Sequence, residues 1–494
     1  MTYSINHFCK TQLFLLVLGS IILMACSTDD NHSFSPPEPV KNVKEMCLYV
    51  NGEHYDIALP ATGPVDLITL NTEFDTDIRV GNASDFEQIT VGGITLTDGA
   101  CKLPVSKIGI DKRIEIIYNT GSDLGTVHLN TFHSGIPLIS ASGKAEIPGI
   151  FYLSFIWRPL IMKYNNDGEC IYYRYEPTDD ADTPDELGFW DFQKHVFSGK
   201  TYYSYHAADP KFKDKAFTGY DPGMRVLMDE HYVPVDTIHA LASLDGYLPE
   251  GSPLDGHDFY FFSPTHWIAS ASYVERDVNG QKLAVAYLQE VKDGKVVFDW
   301  WSTDHPEMVE WASPIFDTSY DYVHFNSVQV LPDGNWLCSF RVVNSVVKID
   351  RKGGSGDFLW RIDGAALPED KSFFGQHYAR YADNMLTIFD NGCGHATKHT
   401  RLMRLNIDSD TGEVYDGGDM LNDSSGYYSF ACGALQMFGD RFVTGWGWSM
   451  TEGDNARLVS EFDASGKEIF QLRHVSRNLL LNELNSSYRC VKYE

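Results

Sequence analysis

The sequence predicts an all-β protein, an N-terminal Ig-like β-sandwich followed by a six-bladed β-propeller. Three observations carry that expectation. Glycine (41 residues) and aromatic residues (13%) are abundant, which suits short strands joined by tight turns. No segment has a convincing amphipathic helical period. From about residue 148 onward a polar turn followed by an aromatic strand recurs, with turn glycines at Gly168, Gly294, Gly356, Gly412 and Gly466. The last four are about 54 to 62 residues apart and the first step is about twice that, a spacing that marks propeller blades.

The elements follow in chain order. Residues 1–25 are expected to be a lipoprotein signal peptide: Lys10 precedes an apolar run from Leu13 to Met24 that is too short to span a bilayer. Leu23-Met24-Ala25-Cys26 resembles a bacterial lipobox, which implies lipidation of Cys26 and attachment to the outer membrane of a Gram-negative cell. Ser27-Thr28-Asp29-Asp30-Asn31 is similar to the acidic tag of lipoproteins sent to the outer surface. Residues 26–44, with three prolines, read as a flexible tether. Residues 45–145 read as the sandwich, with Cys47-Leu48-Tyr49-Val50 ending in an Asn51-Gly52 turn and later strands at Ile89-Thr90-Val91 and Ile114 to Tyr118. Residues 146–494 remain for the propeller.

Composition narrows the function. A net charge of −29 argues against a nucleic-acid partner, because phosphates must be met by a basic surface. None of the nine cysteines forms a CxxC pair, so a zinc site of that type is not expected. No glycine-rich phosphate loop is present, which disfavours a nucleotide donor.

Three segments share a plan of histidine, apolar strand, turn and apolar strand. They begin at His257, with a turn at Ser263-Pro264, at His324, with a turn at Pro332 to Asn335, and at His377, with a turn at Asp383-Asn384. The histidines lie about one blade apart, so they are expected to converge near the propeller axis. A single histidine is more often a satisfied surface or core residue, but three in one register of a repeat point to a shared site. Three imidazoles suit a transition metal. Together with Arg341 they also suit transfer of an anionic group, with arginine as an oxyanion fork and histidine as nucleophile or acid and base. Asp258 alone abuts one of these histidines, which disfavours a hydrolase built on paired carboxylates. The aromatic residues nearby, including Trp300, Trp301, Tyr378, Trp446 and Trp448, could stack on an aryl ring, but most propeller aromatics are core and none is claimed as a site.

His257-Asp258, His324-Phe325-Asn326-Ser327 through Asp333-Gly334-Asn335 to Arg341, Leu359-Trp360, Gln376-His377, and Phe389-Asp390-Asn391-Gly392 followed by Arg401 together resemble the bacterial aryl-sulfate sulfotransferases. The resemblance covers roughly residues 145–450 and implies a sandwich followed by a six-bladed propeller. It also implies a ping-pong transfer of a sulfuryl group from a phenolic sulfate ester to a phenolic acceptor, without nucleotide cofactor or metal. His377, in the Gln-His motif, would carry the sulfuryl group. His257 or His324 would serve as acid and base, and Arg341 with Asn326 would hold the sulfuryl oxygens. Arg401 reads as structural. The alternatives are a metal-dependent propeller lyase acting on an acidic polysaccharide, with the three histidines as ligands, and a non-catalytic propeller that binds glycans or partners.

Overall fold

Alternating burial builds the sandwich. In Glu45–Val50 the even residues Met46, Leu48 and Val50 are buried and the odd ones face outward. Asn51 (φ 49°) and Gly52 (φ 88°) then turn the chain back into Glu53–Ala58. These two strands join Thr76–Val80 and Ala100–Leu103 in one antiparallel sheet. The second sheet contains Gln88–Val91, Arg113–Asn119 and Leu124–Asn130, and Leu48, Ile78, Val91, Ile116 and Leu129 belong to a common core. The computed structural model describes residues 43–176, 188–215, 219–272, 274–416, 418–422, 427–449, 457–475 and 486–494. The expected signal peptide and Cys26 lie outside the described residues.

Beyond the sandwich, antiparallel four-stranded units repeat six times. Their inner strands are Ser487–Tyr493, Phe189–Phe197, Leu254–Ser263, Phe325–Val330, His377–Ala382 and Ala434–Phe438. Each adjoins the next and the sixth adjoins the first, so the blades close a ring around one axis. The five repeating glycines all fall in the turn between the third and fourth strand of a blade. The gap in that series has a simple origin. Blade two makes the equivalent turn at Asp229 to Val233, where Tyr232 takes the left-handed conformation (φ 64°) that glycine takes elsewhere.

Blade one is closed by the chain's end. Ser487–Tyr493 pairs with Ile150–Phe155, so the C-terminal strand is the innermost strand of the first blade. Lys492 of this strand forms a fully buried 2.7 Å ion pair with Glu461 of blade six. The N-terminal region covers the same seam: Thr69–Asn71 extends the outer edge of blade one, and Ile139–Gly143 extends that of blade six. Sandwich and propeller thus share sheets and belong to one compact unit.

Burial of neutral histidines gives the fold an acid limit. His206, 1% exposed, has its pKa pushed down to about 4, chiefly by burial, while Asp255 and the Asp221 carbonyl work the other way. The unfolded chain takes up this proton near pH 6.5, so stability is complete above that value and falls as pH drops towards 4. Each histidine held this way costs about 1.4 kcal/mol per pH unit across its window. Denaturant unfolding at pH 7, 6 and 5 should show a falling midpoint, and a flat profile would contradict neutral burial.

Candidate active site

Irregularities in the inner strands aim the key side chains. His257 lies in Leu254–Ser263 where the ladder is interrupted between Leu254 and Phe259. His324 (φ 55°) immediately precedes Phe325–Val330, and Tyr378 (φ 53°) follows His377 at the start of its strand. Cys432 (φ 64°) stands at the same place before the inner strand of blade six. Such bulges redirect side chains out of the ladder, here towards the axis.

A cavity of about 360 Å³ results, and all six blades contribute to it. His257, His324, His377 and Arg341 line one part, and Trp157, Trp190, Tyr220, Phe430 and Trp448 supply an aromatic wall. The His257 ring lies 4.9 Å from that of His324 and 6.3 Å from that of His377, centroid to centroid. Tyr488 stacks on Trp190 at 4.5 Å, and its hydroxyl donates to the His257 carbonyl at 2.6 Å. The four residues expected to carry chemistry are therefore brought together.

The hydrogen bonds differentiate the three imidazoles. His257 Nδ1 is 2.9 Å from Asp255 Oδ2, and His324 Nδ1 is 2.6 Å from Asp321 Oδ2. A carboxylate behind the ring supports an imidazolium, as proton transfer requires. His377 Nδ1 instead meets the amide oxygen of Asn391 at 2.8 Å. The Asn391 amide nitrogen donates to the carbonyls of Ser429 (2.9 Å) and Cys432 (3.1 Å), which fixes its oxygen as the group facing His377. His377 Nδ1 therefore holds the proton and Nε2 carries the lone pair, approached at 3.2 Å by the Cys432 N–H.

Electrostatics reinforce the division. Burial, and then the Arg341 guanidinium and the neighbouring His257 ring, drive the His377 pKa well below that of free imidazole, against the Asn391 hydrogen bond. Burial also lowers His324, opposed by Asp321. Burial raises Asp321, but the charge and hydrogen bond of His324 and the Val323 N–H outweigh it and leave its carboxyl below the usual range. Asp221, also on the cavity wall, is raised well above the carboxylate range by burial.

Arg341 is buried with no carboxylate partner among the described residues. Its guanidinium lies between the rings of Phe316 (4.4 Å) and Phe430 (4.9 Å). Nη2 donates to the Phe430 carbonyl at 3.3 Å, and Nε has no partner. A buried cation in this condition favours an anion in the adjacent space. Arg489 is the contrast, since it donates to Asp191 (2.7 Å) and Asp258 (3.0 Å) in the axial core.

Other expected residues take different places. Asn326 does not line the cavity; it is fully buried and its amide donates to the Gln376 carbonyl at 2.7 Å, tying down the strand that bears His377. Asp258, adjacent to His257 in sequence, turns instead to Arg380, Arg489 and the Val328 N–H. The expectation that carboxylates are scarce around these histidines is corrected by Asp255 and Asp321. Arg401 binds Asp390 at 2.9 Å and the Glu369 carbonyl at 3.1 Å, a structural role.

Residues 269–476 match the family model described as arylsulfotransferase (ASST). This segment is similar to the arylsulfotransferase family. It contains His324, Arg341 and His377, whereas His257 lies just before it. The match supports aryl sulfotransferase activity and phenolic substrates in general. No curated protein matches the chain. Among solved structures, a protein of unknown function from Bacteroides caccae is 12% identical, covering 70% of this chain and 99% of its own, with a TM-score of 0.41. A virginiamycin B lyase from Staphylococcus aureus is 10% identical, covering 87% of this chain and 100% of its own, with a TM-score of 0.31.

Sequence reasoning missed several residues of this candidate site. Asp255 and Asp321 stand two and three positions before their histidines, and an Asp shortly before each of these two motif histidines was a usable signal. Trp448, one of the aromatics that the sequence left unclaimed, lines the cavity. Trp157, Trp190 and Tyr488 come from blades one and two, where no histidine marks the register.

Proposed function

We propose that this protein is an aryl-sulfate sulfotransferase that works by a ping-pong route through His377. The observation that carries the proposal is Arg341, a buried cation without a carboxylate partner among the described residues, facing the same cavity as the neutral His377 ring. In the first half-reaction the Nε2 lone pair attacks the sulfur of a phenolic sulfate ester. An N–S bond forms, the S–O bond to the aryl oxygen breaks, and the phenolate takes a proton from His257 or His324. In the second, that histidine removes the proton of an incoming phenol, whose oxygen attacks sulfur and frees His377.

The surrounding groups suit these steps. The Arg341 guanidinium is a donor for sulfuryl oxygens as charge redistributes, and the Cys432 N–H, which meets His377 Nε2 in the free site, is released towards them when Nε2 bonds to sulfur. Asn391 accepts the Nδ1 proton throughout, so the nucleophile needs no change of tautomer. The Asp255 and Asp321 carboxylates stabilise the imidazolium that forms at His257 or His324. The aromatic wall provides apolar faces for donor and acceptor rings. Asn326 acts through the strand of His377, not on substrate. The route uses no cofactor, and a lipid on Cys26 would hold the enzyme at the outer membrane.

A metal lyase is less well supported. The histidine nitrogens do not gather within the 4.8 Å that unites the one candidate ligand group among the described residues, which lies in the sandwich. Incubation with a chromogenic aryl sulfate tests the proposal. Phenolate release should rise with the concentration of an added phenol, which should itself become sulfated. Release indifferent to the phenol, with free sulfate as product, would replace transfer by hydrolysis.

A further inference from the structure

The first hairpin of the sandwich holds a group of side chains that the transfer reaction does not use. Cys47 stands directly opposite Asp56 across the two strands, and His54 is opposite Tyr49, one pair along on the same face. That face points to solvent, because Met46, Leu48 and Val50 fill the other. The ligand atoms of Cys47, His54 and Asp56 all lie within 4.8 Å of one another. His54 Nε2 is 2.9 Å from Asp56 Oδ1. We propose that Cys47, His54 and Asp56 form a site for a borderline-soft divalent cation, zinc foremost, with a fourth position open to solvent.

The chemistry of the donors selects the metal. Thiolate, imidazole and carboxylate are the three side-chain donors zinc takes, at about 2.0 to 2.3 Å. In a tetrahedral shell, ligand atoms are then roughly 3.3 to 3.8 Å apart, so small side-chain rotations complete the set. Calcium and magnesium prefer oxygen donors throughout and would not recruit Cys47.

The scaffold is also prepared. The tight Asn51-Gly52 turn fixes the register of the two strands. The Tyr49 ring stacks on His54 at 4.8 Å and 26°, and Arg79 covers the other side of this pair, 3.9 Å from the Tyr49 ring. The carboxylates of Asp56, Glu45 and Asp85 lie around the Cys47 thiol. These acidic groups favour an incoming cation. No sequence motif announces the site, because its spacing is set by strand pairing and not by a CxxC run.

Binding balances simply. The Cys47 thiol gives its proton to solvent and its sulfur lone pair to the metal. His54 donates a ring-nitrogen lone pair, and Asp56 donates a carboxylate oxygen without a proton change. One proton leaves per metal bound, and no electron is transferred.

The test titrates the full chain, reduced and metal-free, with Co²⁺ and then displaces it with Zn²⁺. Wild type should develop a thiolate-to-cobalt charge-transfer band that zinc abolishes, with one proton released per ion. Cys47→Ser should remove the band, and His54→Ala or Asp56→Asn should weaken binding at least tenfold. These side chains are partly exposed, so the variants should keep the wild-type circular dichroism. A wild type without the band, or a band that survives Cys47→Ser, overturns the proposal. A band lost only in Cys432→Ser would place the metal in the propeller cavity instead. Aryl-sulfate turnover is not the readout, so failure of the sulfotransferase reading leaves this test intact.

Discussion

Replacing His377 by alanine should lower kcat for sulfuryl transfer by at least about 10³-fold. Wild type incubated with an aryl sulfate and no acceptor should gain the mass of one SO₃ group, located on the peptide containing His377. The variant should gain none. The expectation rests on the difference between the three imidazoles: His377 alone is backed by an amide, with its lone pair at Nε2, and stays neutral at ordinary pH. Intact turnover in His377→Ala would falsify the nucleophile assignment. Turnover that persists at wild-type rate while the SO₃ adduct disappears would point to direct transfer between donor and acceptor.

Arg341 should separate activity from stability. Arg341→Lys should reduce kcat/KM about 10²-fold, because a point charge cannot reproduce the planar fork held between Phe316 and Phe430. Arg341→Met should reduce it further, to about 10³-fold below wild type. Neither should change the unfolding free energy by more than about 1 kcal/mol, since the lost ring contacts are offset by relief of an unpaired buried charge. Arg489→Met gives the comparison. That side chain sits between Asp191 and Asp258, and its removal leaves each buried carboxylate with one arginine instead of two, Arg225 and Arg380 respectively, at a cost of about 3 kcal/mol. Denaturant unfolding of the three variants beside their kinetics checks the pattern. An Arg341→Met protein as destabilised as Arg489→Met would mean that Arg341 belongs to the core.

The blades were legible because their third turn repeats a local requirement, a residue with positive φ, which glycine meets at five of six places. Blade two was invisible in that series because Tyr232 meets the requirement without glycine. The histidine register was legible for the same reason: one local plan recurs at 257, 324 and 377. The acidic partners left a weaker trace, an Asp shortly before each of two histidines, because Asp255 and Asp321 reach their imidazoles only where the strand departs from regular pairing. Adjacency misled at Asp258, since neighbours along a strand face opposite sides. Asn326 was placed near substrate on its motif alone, while its position is fixed by the Gln376 carbonyl. The pairing of Ser487–Tyr493 with Ile150–Phe155 joins the two ends of the propeller, and no local pattern records it.

That last pairing makes one strand the keystone of two regions at once. Tyr488, which stacks on Trp190 and holds the His257 carbonyl, and Arg489, which ties the axial carboxylates together, both sit on Ser487–Tyr493. Peeling this strand from Ile150–Phe155 would open the seam of the ring and unseat His257 in the same motion, so ring closure and a finished cavity wall are one event.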